Sequence, residues 1–186
     1  MTIADDLEAA QAARRRERWL TVVPPRFADV TLDWVTDHHP AASKKLERWD
    51  GRQNLVILGP VGTGKTGTAF AVSRPVIEQG VPFRYAKAVT AFDSMRPGGE
   101  PGALQTLLDT HLLLLDDLGV EKPSEWTTER LTAIIDHRWE RERPTIITSN
   151  LTGKQLRSWV GERAYSRVTG DGMSVQLSGD DQRRQR

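Results

Sequence analysis

Short apolar runs and longer amphipathic segments alternate along most of this chain. Five short apolar or β-branched runs predict strands at residues 54–58, 83–86, 111–115, 145–148 and 173–177. The intervening segments predict helices at 41–49, 64–79, 89–95, 104–108, 124–141, 153–159 and 162–168. Pro75 predicts an interruption of the second of these helices, and Ser124 is the expected N-cap of the fifth. Strands that alternate with helices indicate an α/β fold, with a mainly parallel five-stranded sheet flanked by helices.

The first part of the chain has a different pattern. Residues 5–20 predict a helix rich in Ala, Glu and Arg, with only a thin apolar face. A helix this polar does not build a core alone, so it is either a docking segment for a partner or a frayed arm. Because Pro24 and Pro25 end it, we expect a basic N-terminal arm at 1–23 and one folded domain at 24–186.

The composition excludes several classes of protein. The chain has 186 residues, of which 38% are hydrophobic and 27% are charged, as is typical of one globular domain. It contains no cysteine, which rules out disulfides and thiolate metal sites. No apolar run approaches the roughly 20 residues that cross a bilayer. We therefore expect a cytoplasmic protein that does not act at a membrane.

Charge is nearly balanced overall, but it is unevenly distributed. A net charge of +1 argues against binding nucleic acid through overall charge alone. Arginines nevertheless cluster near both ends of the chain, at Arg14, Arg15, Arg16 and Arg18 and at Arg183, Arg184 and Arg186. These clusters are either solvated termini or contacts for DNA phosphates or an acidic partner.

The most informative motif follows the first predicted strand. Residues 59–66 read GPVGTGKT and match G-x-x-x-x-G-K-[ST] in full, between a strand and a helix. In this motif backbone N–H groups and the positive end of the helix surround phosphate oxygens. We expect Lys65 to reach the β- and γ-phosphates and the Thr66 hydroxyl to bind Mg²⁺. The residues expected to hold the nucleotide are Gly59, Pro60, Val61, Gly62, Thr63, Gly64, Lys65, Thr66 and Gly67.

Two further strand ends carry polar residues that suit the same site. The apolar run 112–115 leads directly into Asp116 and Asp117, at the edge of a parallel sheet where ligands collect. Asp116 fits the Mg²⁺ role, holding the ion through water, and Asp117 fits the general base that orients the attacking water. Many P-loop ATPases have Glu at the second position, so the shorter Asp117 predicts slow hydrolysis. Asn150, which follows TIITS, is positioned to bond the γ-phosphate or the water.

Several segments in order resemble a known family. They are PPRFADVTLDW, GPVGTGKT, LLLLDDLGVEKPSEW, RWERERPTIITSNL and GERAYSRV, with a looser match in the tail LSGDDQRRQR. Together they resemble the DnaC-type helicase loaders, AAA+ ATPases related to the IstB transposition ATPases. The P-loop alone is shared by many families, whereas the ordered combination is much more specific.

The resemblance implies a role for individual residues. Lys65 and Thr66 resemble Walker A residues, and Asn150 resembles sensor 1. Asp116 and Asp117 resemble the Walker B pair. The fold implied is AAA+, with its helical lid absent or truncated.

Other implied roles involve neighbouring molecules. Arg167 resembles the arginine finger that completes a neighbouring subunit's site, with Arg163 as the second choice. Arg183 resembles sensor 2. Ser124 and Trp126 lie where related loaders touch single-stranded DNA, although Trp126 has an equal claim to pack on the helix that it begins.

The function implied is that of an ATP- and Mg²⁺-dependent loader of bacterial or phage origin. Its partners would be a DnaB-type replicative helicase, single-stranded DNA and further copies of the chain in a ring or open spiral. The ATPase would be weak alone and stimulated by assembly, DNA or the partner, because an arginine in trans completes the site. No N-K-x-D guanine signature is evident, which favours ATP over GTP.

Three alternatives remain open. An IstB-like transposition ATPase would use the same nucleotide residues. A nucleotide-binding adaptor would have little turnover because of the short Asp117. A P-loop small-molecule kinase would need an acceptor pocket, and none is evident in the sequence.

Overall fold

The computed structural model describes residues 3–120 and 123–179, with side chains described from Leu7 onward. Its helices are α1 Ile3–Val22, α2 Leu32–His38, α3 Pro40–Leu46, α4 Lys65–Glu78, α5 Ala88–Ser94, α6 Ala103–Asp109, α7 Glu125–Glu140, α8 Gly153–Val160 and α9 Glu162–Thr169. Its strands are β1 Leu55–Leu58, β2 Phe83–Lys87, β3 Leu112–Leu118, β4 Thr145–Ser149 and β5 Met173–Gln176. A 3₁₀ turn at Pro25–Phe27 connects α1 to α2.

The five strands form one parallel sheet in the order β2-β3-β4-β1-β5. The central strands β1, β3 and β4 are buried almost throughout, as expected where helices cover both faces of a sheet. Alternate residues of β3 enter two separate cores: Leu112 and Leu114 face one, and Leu113 and Leu115 the other. The predicted fold class is therefore confirmed.

Three local predictions need correction. Helix α4 continues through Pro75. The Ser73 hydroxyl donates to Ala69 O before the proline, and Pro75 O accepts from the Gln79 N–H after it. Helix α2 was not predicted, although Thr31 caps it with a bond from the Trp34 N–H at 3.2 Å. Strand β3 runs to Leu118, so both predicted acids lie within it rather than after it.

Only the C-terminal end of α1 enters the body of the protein. Trp19 is completely buried against the edge of the Phe70 ring, and its indole N–H donates to Ala28 O at 2.8 Å. Residues 7–18 of the helix are exposed, so Arg14, Arg15 and Arg16 project into solvent, while Arg18 Nη1 donates to Glu78 O at 3.1 Å. None of the described helices is long and apolar enough to cross a membrane.

A buried arginine lies at the end of the sheet opposite to the P-loop. Arg138 of α7 is 1% exposed and has no carboxylate partner within the described residues. Its guanidinium donates to five oxygens at the ends of α6, β3 and β4, namely Leu107 O, Thr110 O, His111 O, Pro144 O and Thr145 Oγ1, at 2.7–2.9 Å. Burial lowers the pKa of Arg138 to about 10, which still leaves it charged at neutral pH. Arg138 therefore holds the amino ends of two central strands in register.

Candidate nucleotide-binding site

The phosphate loop lies between β1 and α4, at the carboxyl edge of the sheet. Gly64 has φ of +81°, and a Cβ at this position would lie 2.5 Å from the Trp34 ring. A Cβ at Gly59 would lie 2.6 Å from Leu177 O. Both positions therefore require glycine, one for its backbone angle and its close approach to a ring, the other for its close approach to a backbone oxygen.

Lys65 is folded over its own loop. Its side chain is only 5% exposed, and Nζ donates to Pro60 O at 2.8 Å. Thr63 Oγ1 donates to the same carbonyl at 2.9 Å. The loop thus places a buried cation against backbone oxygen, where a phosphate oxygen is a stronger acceptor.

Asp116 is the centre of a network of hydroxyl groups. Its Oδ1 accepts from Thr66 Oγ1 at 2.8 Å and from Thr148 Oγ1 at 2.6 Å. Its Oδ2 accepts from the Tyr85 hydroxyl at 3.1 Å. The structure therefore brings together the predicted Thr66 and Asp116, and it adds Thr148 and Tyr85, which sequence analysis missed.

Burial dominates the electrostatics of this carboxylate. Asp116 is 1% exposed, and its pKa is raised by burial against the opposing effect of the three hydroxyl bonds. The pKa of Tyr85 is raised as well, first by its own burial and then by the charge of Asp116. An anion held here without a cation is costly, so the site favours a positive ligand.

Asp117 has an unusual backbone conformation. Its φ is +57°, in the left-handed region that Asp tolerates better than most residues, and the pairing of β3 with β4 is irregular between Leu115 and Leu118. Its N–H donates to Thr148 Oγ1 at 2.9 Å, so Thr148 bridges both acids. This backbone angle interrupts the alternation of side chains along β3, and the charge of Asp117 also contributes to the raised pKa of Asp116.

The donor set fits Mg²⁺. Among the described residues, no group of three or more His, Cys, Asp or Glu could hold a metal on its own. Thr66 and Asp116 instead offer two oxygens 2.8 Å apart. Mg²⁺ in nucleotide sites takes one or two protein oxygens and completes its shell with phosphates and water, which suits this pair.

A buried histidine supports the loop from behind. His39, between α2 and α3, is 5% exposed, and its Nε2 lies 2.8 Å from Thr63 O. Burial lowers the pKa of His39, which favours a neutral ring with Nε2–H donating to that carbonyl. Trp34 lies beside it, with the ring centroids 6.2 Å apart. Neither residue was assigned a role from the sequence, although the segment PPRFADVTLDW ends at Trp34.

The remaining residues predicted for the site lie at different distances from it. Asn150 is half-buried and follows the last residue of β4, whose carbonyl accepts from Gly59 N at 3.2 Å. Its role as sensor 1 stays a prediction. Arg183, predicted as sensor 2, lies outside the described residues.

The two predicted finger arginines lie on α9, away from the P-loop. Arg167 forms an ion pair with Asp136 of α7, and its guanidinium lies 4.6 Å above the Trp139 ring centroid. Arg163 Nη2 lies 3.0 Å from the other oxygen of Asp136. Both arginines therefore have a partner on α7 of their own chain, and their role as arginine fingers stays a prediction.

The predicted DNA contacts lie at the start of α7. Ser124 caps this helix, with Oγ accepting from Thr127 N at 3.1 Å, so the predicted N-cap is confirmed. Trp126 is half-buried edge-on to Phe92, and the Arg96 guanidinium lies 4.8 Å above its ring. Its contact with single-stranded DNA stays a prediction, and Arg96 now covers part of the predicted stacking surface.

The comparisons with known proteins agree with this geometry. The family described as IstB-like ATP binding protein matches residues 37–186, which include the P-loop, both acids and α9. The chain belongs to this IstB-like family. A putative insertion sequence ATP-binding protein, y4pL of Sinorhizobium fredii, is 34% identical to this IstB-like chain over 148 residues, covering 73% of the chain and 58% of y4pL.

Helicase loaders are similar to the IstB-like chain as well. The replicative helicase loader DnaC of Escherichia coli K12 is 28% identical over 134 residues, covering 68% of the chain and 55% of DnaC. A crystal structure of the DnaC helicase loader superposes with a TM-score of 0.70 at 23% identity, covering 83% of the chain and all of that structure. The chain spans little more than half the length of these curated relatives. The predicted resemblance is confirmed, and the fold is that of the AAA+ P-loop domains.

Proposed function

We propose that this chain is an ATP-dependent helicase loader of the DnaC type, in which ATP and Mg²⁺ control assembly on single-stranded DNA. The observation that carries the nucleotide part is the bond from Thr66 to Asp116, backed by Thr148. This bond joins the P-loop, which would hold the phosphates, to the carboxyl ends of two central strands, where Asp116 would hold the metal.

The residues of the site divide the chemistry of hydrolysis among them. Lys65 exchanges its bond to Pro60 O for the β- and γ-phosphates. Thr66 and Asp116 would hold Mg²⁺, which would neutralise charge on the phosphates. Asp117 orients a water and accepts its proton as the water oxygen attacks the γ-phosphorus and ADP leaves. An arginine from a second subunit stabilises the charge on the transferred group.

The test of this chemistry is steady-state ATP hydrolysis with Mg²⁺ and single-stranded DNA. We expect Lys65→Ala and Asp117→Asn to lower turnover by about 100-fold or more, while Asp117→Asn retains ATP binding. Asp109→Asn, which neutralises an exposed acid at the end of α6, is the matched control. Equal hydrolysis in the wild type and in Lys65→Ala would show a nucleotide-binding adaptor instead.

The loader activity is tested with the replicative helicase from the same source. We expect the chain to bind this helicase and to deliver it to a single-stranded DNA circle only with ATP. The Lys65→Ala variant should fail to deliver it. Normal hydrolysis without any helicase binding would remove the loader from the proposal and leave the ATPase.

One observation favours a second candidate, an ATPase of transposition. The 34% identity with an insertion sequence ATP-binding protein exceeds the 28% identity with DnaC. All proposed nucleotide residues serve both functions, so only the client distinguishes them. Binding of a transposase encoded beside this chain, with no binding of the helicase, would establish the second candidate.

A further inference from the structure

One carboxylate on α7 is shared by two arginines of α9. Asp136 Oδ1 pairs with Arg167 Nη1, and Asp136 Oδ2 lies 3.0 Å from Arg163 Nη2. The Asp136 side chain is 20% exposed, so water screens it only in part. The cluster therefore balances two cations on one half-buried anion.

The two arginines are held to different degrees. The Arg163 side chain is 68% exposed and touches the carboxylate from the solvent side, whereas that of Arg167 is 17% exposed. Arg167 also lies over the ring of Trp139, at 4.6 Å from its guanidinium carbon, which adds a cation–π contact. Arg167 consequently has two partners within its own subunit, and leaving them costs more than it does for Arg163.

The position of Arg167 argues against a role in its own nucleotide site. Its carbonyl accepts from Asn54 Nδ2 at 3.1 Å, and Asn54 precedes β1, while the P-loop follows β1. A strand of this length separates its two ends by about 13 Å, at about 3.3 Å per residue. A guanidinium paired with Asp136 is therefore set back from its own P-loop, which favours action on the nucleotide of a second copy of the chain.

We propose that Asp136 is a latch that keeps Arg167 within the lone subunit and so sets the protein concentration at which one subunit completes another's nucleotide site. This rests on the proposed ATPase with an arginine supplied in trans. A triphosphate carries more negative charge than one carboxylate and offers bidentate acceptors, so a neighbour's nucleotide outcompetes Asp136 once the subunits lie side by side. Asp136 is thus a positioning residue that acts through Arg167.

The test is the concentration dependence of ATP hydrolysis per subunit. Asp136→Asn keeps the size of the side chain and removes its charge, so we expect half-maximal hydrolysis at about fivefold lower protein concentration. Asp136→Glu should retain a threshold close to that of the wild type. Trp139→Ala, which removes the other partner of Arg167 at a position 43% exposed, should shift the threshold in the same direction as Asp136→Asn.

Two controls separate this role from a structural one. Glu162→Gln removes an acid of α9 that pairs with Arg157 at 2.8 Å, and it should leave the threshold unchanged. In an Arg167→Ala background, Asp136→Asn should have no further effect on hydrolysis, because the residue that it releases is absent. A loss of thermal stability alone would not produce that dependence on Arg167.

The outcomes also distinguish the latch from the proposed function. An unchanged or raised threshold in both Asp136→Asn and Trp139→Ala overturns the latch while leaving the ATPase intact. Hydrolysis per subunit that is independent of concentration in the wild type, and unaffected by Arg167→Ala, overturns the arginine in trans and the latch with it.

Discussion

Two buried charges lie at opposite ends of the same pair of central strands, and their partners differ. Asp116, at the carboxyl ends, is bonded by the hydroxyls of Thr66, Thr148 and Tyr85. Arg138, at the amino ends, is bonded chiefly to backbone carbonyls. Each is 1% exposed. Hydroxyl groups can turn toward a metal or a phosphate, whereas carbonyls at the ends of helices and strands are fixed. The same degree of burial therefore indicates a binding site around Asp116 and a structural anchor around Arg138.

The largest effect should come from removing the anchor. Arg138→Met leaves buried carbonyls without donors, and we expect a loss of about 3–5 kcal/mol in the free energy of unfolding. Asp116→Asn, by contrast, removes a charge whose burial is unfavourable, and it should leave stability unchanged or raised while abolishing hydrolysis. Urea denaturation of both variants measures the difference. Equal losses of stability would show that Asp116 is also an anchor.

An intermediate effect is expected for the hydroxyl of Tyr85. Tyr85→Phe removes one donor to Asp116 and keeps the ring that packs on Phe70. We expect the Mg²⁺ concentration that gives half-maximal ATP binding to rise about two- to tenfold, and hydrolysis to fall to a similar extent. One hydrogen bond contributes about 0.5–1.5 kcal/mol. Mg²⁺ titrations followed by calorimetry provide the measurement, and Tyr165→Phe on α9 is the control. No change in Mg²⁺ dependence would limit Tyr85 to packing.

The smallest effect is a pH dependence carried by His39. Its pKa is lowered by burial from the ordinary 6.5, so the unfolded chain binds this proton more readily than the folded chain. The contribution of His39 to stability is therefore complete above pH 6.5 and is lost as the pH falls through the lowered pKa. His39→Gln keeps a donor toward Thr63 O but does not titrate, so stability should depend less on pH below pH 6.5 in this variant. Thermal midpoints between pH 5 and 8 test this, and an unchanged profile would contradict it.

The sequence predicted the sheet and much of the site because both are encoded locally. The P-loop glycines, the run 112–115 before two acids, and Ser124 as the cap of α7 each depend on neighbouring residues alone. The missed partners depend on the sheet order instead. Tyr85 is 31 residues from Asp116 and Thr148 is 32 residues from it, and they meet because β2 and β4 flank β3.

Some of the missed residues left a signal in the sequence. Arg138 shares a helical face with Leu131, Ile134 and Ile135, which is an unusual place for a charge unless it is buried and fully bonded. Thr145 and Thr148 are polar residues of a fully buried strand; Thr145 bonds Arg138, and Thr148 bonds Asp116. The continuous helix through Pro75 left no such signal, because the packing of α4 on the sheet overrides the local preference.

The ring of Trp34 lies against the backbone of the P-loop, stacked on His38 with centroids 4.5 Å apart. Indole emission responds to the polarity and mobility of the atoms around it, so nucleotide entering the loop should change the fluorescence of this residue. Because the chain has six tryptophans, Trp34→Phe serves as the reference that retains the emission of the other five. The difference between the two proteins follows nucleotide arrival and departure in real time.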